Sequence, residues 1–149
     1  SAGNRHPFET YLALTRPAVA QDGQVFEMGL WRYLPLSHAL VFLGCPEHLP
    51  DRVAEAALGQ SFVGQAPVTF MWSAIPYRTE WRYREASHKV MALDAGHICQ
   101  NLYLAAEAIG CGVCAVAAYH QQAADRLMGL DGQDEFVAYM APVGRSREE

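Results

Sequence analysis

The residues best suited to chemistry fall in four places. The opening loop Ser1-Ala2-Gly3-Asn4-Arg5-His6 offers a hydroxyl, an amide and backbone N–H groups within six residues. Ser1, Gly3 and Asn4 can line the polar edge of a flat heterocycle, and an ordinary turn before a strand has the same composition. Gly110 to Tyr119 (GCGVCAVAAY) is built almost wholly of small residues. A backbone that lies against a planar ring cannot carry bulky side chains, so Cys114, Ala115, Val116, Ala117 and Ala118 suit that use; a close-packed buried strand would read the same way. Arg82 and Tyr83 put a fixed cation beside a phenol, or form a solvated basic helix turn. Arg145 and Arg147 can grip phosphate oxygens through guanidinium hydrogen bonds, and a charged terminal tail is the plainer alternative.

Two further groups carry less. Cys111 and Cys114 form a C-x-x-C, but a zinc site needs a second ligand pair at workable spacing. His97 and Cys99 are two apart, so they face different sides of a helix. Cysteine as a small buried hydrophobe, and His97 as a core or interface residue, are the default readings. No metal site is expected.

The elements that must position these residues follow from pattern. Phe8 to Thr15 (FETYLALT) alternates and is rich in β-formers, so it predicts a strand. Asp22-Gly23 predicts a turn. Leu30 to Tyr33 and Ala39 to Leu43 predict two short strands joined through Pro35 and Ser37. Asp51 to Leu58, alanine-rich and closed by Gly59, predicts a helix. Pro67 to Ile75 is a continuous apolar run of strand length, which suits a strand covered on both faces. A long helix is expected from about Glu85 to Ile109. Its stripe of Val90, Leu93, His97, Asn101, Leu104 and Ala108 is expected to be buried for much of its length, with Gly110 as the stop. Gly112 to Ala118 predicts a tightly packed strand or loop. Gln121 to Met128 predicts a short helix, Leu130-Asp131-Gly132 a turn and Glu135 to Ala141 a last strand. Early neighbouring strands and later helices point to an α+β fold rather than a doubly wound parallel sheet.

Bulk properties bound the function. The 149 residues suit one domain, and 51% apolar with 18% charged residues allows a real core. A net charge of -5 argues against nucleic-acid binding, which favours a basic stripe. No stretch reaches the length of a membrane span. The start, Ser1 to Pro7, is polar and turn-forming, not signal-like. Four cysteines without a disulfide framework fit a reducing, cytoplasmic setting.

Several blocks in order resemble the nitroreductase superfamily: Ser1 to Tyr11; Gly59-Gln60-Ser61-Phe62-Val63 with Ala66-Pro67-Val68; Asp94-Ala95-Gly96-His97 with Gln100-Asn101-Leu102 and Ala105 to Gly110; then Leu130-Asp131-Gly132 and Pro142-Val143-Gly144-Arg145. The DAGH-then-QNL block and the Leu-Asp-Gly turn resemble the SagB-type branch, whose members oxidise azoline rings on peptide natural products. The resemblance implies a central, mostly antiparallel sheet flanked by helices, bound FMN, and a small-molecule or peptide substrate. It implies a flavin that takes a hydride at N5 and passes electrons on to oxygen or another acceptor. It implies a homodimer with the flavin between subunits, to which Trp31, Trp72 and Trp81 are candidate surface contributors. Ser1, Gly3 and Asn4 would meet the ring's pyrimidine edge. Cys114 to Ala118 would lie against it, with the Ala117 and Ala118 backbone at N5, and Arg145 and Arg147 would meet the phosphate. Arg82-Tyr83 stands where azoline-oxidising members tend to have lysine-tyrosine. Because arginine does not give up its proton, a base role there would pass to Tyr83 or to substrate groups. Family members also carry an arginine-serine segment upstream of the serine-rich loop. The sequence starts inside that loop, so the expectation is a single domain over 1–149 without that segment. A non-catalytic nitroreductase-like scaffold or binding domain with an incomplete flavin site is the alternative.

Overall fold

The structure is a computed structural model and describes residues 1–145. Its strands are β1 (Phe8–Leu14), β2 (Ala18–Val19), β3 (Val25–Phe26), β4 (Gly29–Leu34), β5 (Ala39–Gly44), β6 (Val68–Ala74), β7 (Gly112–Val113) and β8 (Phe136–Gly144). Its helices are α1 (Leu49–Ala56), α2 (Ser61–Gln65), α3 (Tyr77–Tyr83), α4 (Ser87–Glu107) and α5 (Gln121–Met128). Six strands form one sheet in the order β5-β4-β1-β6-β8-β7, and every neighbouring pair in it is antiparallel. The expected α+β class and antiparallel sheet are therefore observed. Asp22-Gly23 does turn the chain, as the tip of the small β2–β3 hairpin. The β2–β3 pairing itself and helices α2 and α3 were not expected from the sequence.

Alternation along β1 sorts the core into two layers. Tyr11 and Ala13 point to one face, where Met71, Val137 and Met140 join Leu49 and Val53 of α1, Val63 of α2 and Leu127 of α5. Most of these side chains are wholly out of solvent. Helix α2 can approach α1 because position 64 is glycine: a Cβ there would run into the Pro50 carbonyl oxygen. The opposite face carries Trp72, Cys99 and Ala141, ringed by half-buried Phe8, Phe70, Ile98, Leu102 and Tyr139, under α4. Trp72 is thus a core residue and not the surface aromatic expected of it. Trp31 is half-buried, edge-on to Phe26 and tilted against Phe42, and Trp81 is exposed.

Helix α4 turns out differently from the expectation. The residues it buries are Ser87, Met91, Asp94, Ala95, Cys99 and Ala106. The stripe expected to be buried lies outside: Leu93 is 55% and Leu104 62% exposed, and His97, Asn101 and Ala108 are exposed with them. The helix is apolar on both sides, so its periodicity is satisfied by either stripe. The sheet takes the one that places small Ala95 and Cys99 against Trp72. Gly110, at φ +68°, ends the helix as expected; its left-handed backbone lets Cys111 N–H turn back to the Ala106 carbonyl at 2.9 Å.

Candidate functional site

The opening loop is one tight turn, with Asn4 N–H donating to the Ser1 carbonyl at 3.1 Å. Its side chains serve the loop itself. Ser1 Oγ accepts from His6 N–H at 2.8 Å, and Asn4 Oδ1 lies 2.6 Å from His6 Nε2. The loop is fastened from outside on two sides. Ala2 N–H donates to both carboxylate oxygens of Asp94 on α4, each at 3.0 Å. On the α3 side, the loop's own Arg5 guanidinium lies over the Trp81 ring at 4.9 Å, and Arg78 of α3 donates to the His6 carbonyl at 3.0 Å. Tyr83 covers Gly3 closely: a Cβ at Gly3 would sit 2.6 Å from the Tyr83 hydroxyl. Gly3 also has φ +56°, so glycine is required there twice over. The structure therefore brings Tyr83 to Ser1–Asn4. Arg82, its neighbour, is exposed.

Arg78 also ties α3 to the sheet. It pairs with Glu9 at 2.6 Å, and Arg32 pairs with the same carboxylate at 3.0 Å. Burial alone would raise the Glu9 pKa, but the hydrogen bonds from Arg78 and Arg32 more than offset it and hold the carboxyl below its ordinary value. Beside it the Glu135 carboxylate accepts from Tyr11 Oη at 2.9 Å and from Ser73 Oγ. Burial, then that hydrogen bond, pushes Tyr11 up to about 12.

The second segment is held along its length by its neighbours. Gly112 and Val113 pair with Gly144 and Val143, and Cys114 N–H donates to the Pro142 carbonyl at 3.2 Å. Ala115 N–H donates to Tyr103 Oη on α4 at 2.8 Å. Val116 is buried and bridges to Met140. The Ala118 carbonyl accepts from Gln60 Nε2 at 2.9 Å, and Tyr119 Oη donates to the Val137 carbonyl at 2.9 Å. Ala117 and Ala118 are exposed, and among the described residues their backbone N–H groups meet no protein acceptor. Two small exposed residues thus continue a fixed backbone, with two adjacent N–H groups that no described acceptor takes.

Cys114 and Arg145 line one open groove of about 840 Å³, together with Arg16, Phe62 and Ile109. The Ser1–Asn4 loop is not part of it. A smaller cavity, about 240 Å³, lies between the two segments: Phe8, just past the loop, and Tyr119, just past Ala118, both line it, with Met91 and Ala95. Arg147 lies outside the described residues. All four cysteines are free, with Cys111 half-buried and Cys114 exposed. The described residues contain no group of three or more His, Cys, Asp or Glu that could hold a metal, and no helix long and apolar enough to cross a membrane.

Sequence reasoning missed the parts that hold these segments in place. Asp94 and Tyr103 are far from their partners in the chain. Asp94 did carry a signal, as a carboxylate on a helix between apolar neighbours.

The sheet order, the loop before β1 and the bare segment before α5 define a class. Residues 1–145 match the nitroreductase family, and the chain belongs to it. Among its relatives, a protein of Methanocaldococcus jannaschii assigned as a nitroreductase is 29% identical over 148 residues, 99% of this chain and 70% of that protein. In fold, the chain is similar to a protein of Anabaena variabilis assigned as a nitroreductase (TM-score 0.82, 22% identity, 96% of this chain and 28% of the other). It is also similar to a chain of the E. coli microcin synthetase McbBCD complex with truncated pro-MccB17 bound (TM-score 0.81, 20% identity, 99% of this chain and 55% of the other). The NADPH:FMN oxidoreductase of Vibrio harveyi shares the fold over 66% of this chain (TM-score 0.56, 21% identity, 46% of the other). The chain thus spans 28% and 55% of the first two solved chains.

Proposed function

We propose that this chain is the flavin-binding domain of an FMN-dependent oxidoreductase, of the SagB type, which oxidises azoline rings on a peptide substrate and works as a homodimer. The observation that carries the reading is the exposed Ala117–Ala118 backbone, with small side chains and two N–H groups that meet no acceptor among the described residues; three residues earlier in the same segment, Cys114 lines the groove that Arg145 also lines. That arrangement fits a flat, electron-accepting ring with a phosphate tail. Small side chains admit the ring to van der Waals distance, the N–H groups offer hydrogen bonds at its edge, and the guanidinium suits the phosphate. FMN, when bound, supplies the redox chemistry; the protein binds it and orients the substrate.

In this reading the ring lies between the Ser1–Asn4 loop of one subunit and the Cys114–Ala118 segment of the other. Arg145 and Arg147 serve the phosphate. Tyr83, held at Gly3, is placed to act on a substrate proton, while Arg82 stays charged and can only orient or stabilise. The uncovered stripe of α4, Leu93, Gly96, His97 and Leu104, supplies the subunit contact. The fold likeness to the microcin synthetase chain is consistent with the SagB assignment, and a nitro or quinone compound is the generic alternative substrate. The alternative, a non-catalytic scaffold, draws on Arg82.

The test is an FMN titration of the parent, Ala117→Leu and Arg145→Ala, with circular dichroism to check folding. The parent should turn yellow with FMN. Ala117→Leu should take up none, and Arg145→Ala should lose roughly 1–3 kcal/mol of affinity for a lost charged hydrogen bond. A folded parent that stays colourless supports the scaffold, and full affinity in folded Ala117→Leu removes the ring from this segment.

A further inference from the structure

We infer that Asp94 and Tyr103 are positioning residues: they make α4 a spacer that holds both ring-contacting segments in place. The inference rests on the flavin reading above for its functional consequence, but its geometry stands apart from it.

Helix α4 is the longest helix of the chain. Near its middle, Asp94 takes Ala2 N–H on both carboxylate oxygens at 3.0 Å. Nine residues on, Tyr103 Oη takes Ala115 N–H at 2.8 Å. At 1.5 Å and 100° per residue, the two groups are about 14 Å and half a turn apart. One rigid rod therefore fixes the two segments on opposite sides and well separated.

Both braces have a physical need to exist. The loop holds Gly3, Asn4 and His6 at φ of 56°, 56° and 49°. Left-handed backbone at two non-glycine residues is costly and persists only when the surroundings enforce it. Asp94 is 8% exposed, and a buried carboxylate needs donors; Ala2 N–H supplies one from the loop. Tyr103 acts differently. It takes the Ala115 N–H, which alternation turns away from β8, while Cys114 and Val116 on either side stay paired to Pro142 and Met140. Neither side chain needs to touch the ring. Each acts through the backbone it holds.

The experiment uses Asp94→Ala, Asp94→Asn and Tyr103→Phe in the full chain. Backbone amide exchange is read by NMR without flavin, and FMN affinity and the visible band of bound FMN are read by titration. Asp94→Ala should speed exchange at Ala2 and leave Ala115 unchanged; Tyr103→Phe should do the reverse. Asp94→Ala should weaken FMN roughly 10-fold or more and Tyr103→Phe roughly 3- to 10-fold, as charged and neutral hydrogen bonds differ. Asp94→Asn keeps an acceptor and should recover most of the loss, which a mere packing role would not require. Unchanged exchange at Ala2 and Ala115 overturns the bracing. Altered exchange with unchanged FMN affinity in both variants overturns the positioning role. A parent that binds no FMN defeats the flavin reading instead, and the exchange data still decide whether the braces exist.

Discussion

The two faces of the sheet are finished to different degrees. Under α1, α2 and α5, Leu49, Val53, Val63, Met71, Val137 and Met140 are all within 1% of full burial. Under α4, the buried apolar cluster is only Trp72, Cys99 and Ala141, and an open groove of about 970 Å³ runs beside them, lined by Leu12, Phe26, Tyr33, Phe70 and Leu102 among others. The first face is a complete hydrophobic core made by one chain. The second is half a core, with an apolar helix that shows its other side to solvent. Stability should reside in the first face and recognition in the second.

The largest expected effect separates them directly. Met140→Ala should cost about 2–5 kcal/mol in urea unfolding, since the fully enclosed site cannot collapse around the missing atoms. A loss well under 1 kcal/mol would mean the first face is not the stabilising core. Alkaline pH sharpens the contrast. Burial pushes Tyr11 and Tyr119 up to about 12, with Glu135 and Asp125 reinforcing it respectively. Both neutral phenols are favoured in the folded state, so their contribution is full below the ordinary value near 10 and is lost as pH rises through about 12. Denaturant midpoints should therefore fall across that window, and Tyr119→Phe should flatten the fall. A flat profile between pH 10 and 12 would contradict the burial of these rings. The smallest effect belongs to the second face. Leu104→Ser should change the unfolding free energy of the isolated chain by no more than about 0.5 kcal/mol. Light scattering should nonetheless show loss of the proposed dimer, if α4 is its contact.

Much of the first face was legible in the sequence. The alternation of Phe8 to Thr15, the strand-length apolar run of Pro67 to Ile75 and the helix Gln121 to Met128 each carry one clear signal and land within a residue or so of the observed bounds. Short or ambiguous elements were not legible. Helix α3 is rich in aromatics and has weak helix propensity, and what starts it is the bend at Pro76. Helix α2 is little more than one turn and exists because Gly64 lets it touch α1. The face that α4 buries could not be read, because both of its stripes are apolar. At the candidate site, the small residues at Cys114–Ala118 and the glycine at position 3 were visible as composition. That Asp94 and Tyr103 hold the backbone depends on contacts across 92 and 12 residues. No local pattern encodes those.

The pairing of Arg78 and Arg32 on Glu9 sets α3 apart from α4 in how each can be released. Helix α4 is held to the sheet mainly by apolar contact, which salt does not weaken. Helix α3, and with it Tyr83 over Gly3, is clasped by charge whose arginines are more than a third exposed, so screening reaches it. Glu9 has a lowered pKa, so its grip is full above the ordinary carboxylate range and slackens as pH falls through the folded value. Acid and salt would thus act as a key for one helix alone. They would free the tyrosine from the loop beneath it, while the sheet, α4 and its hold on Ala2 stay closed.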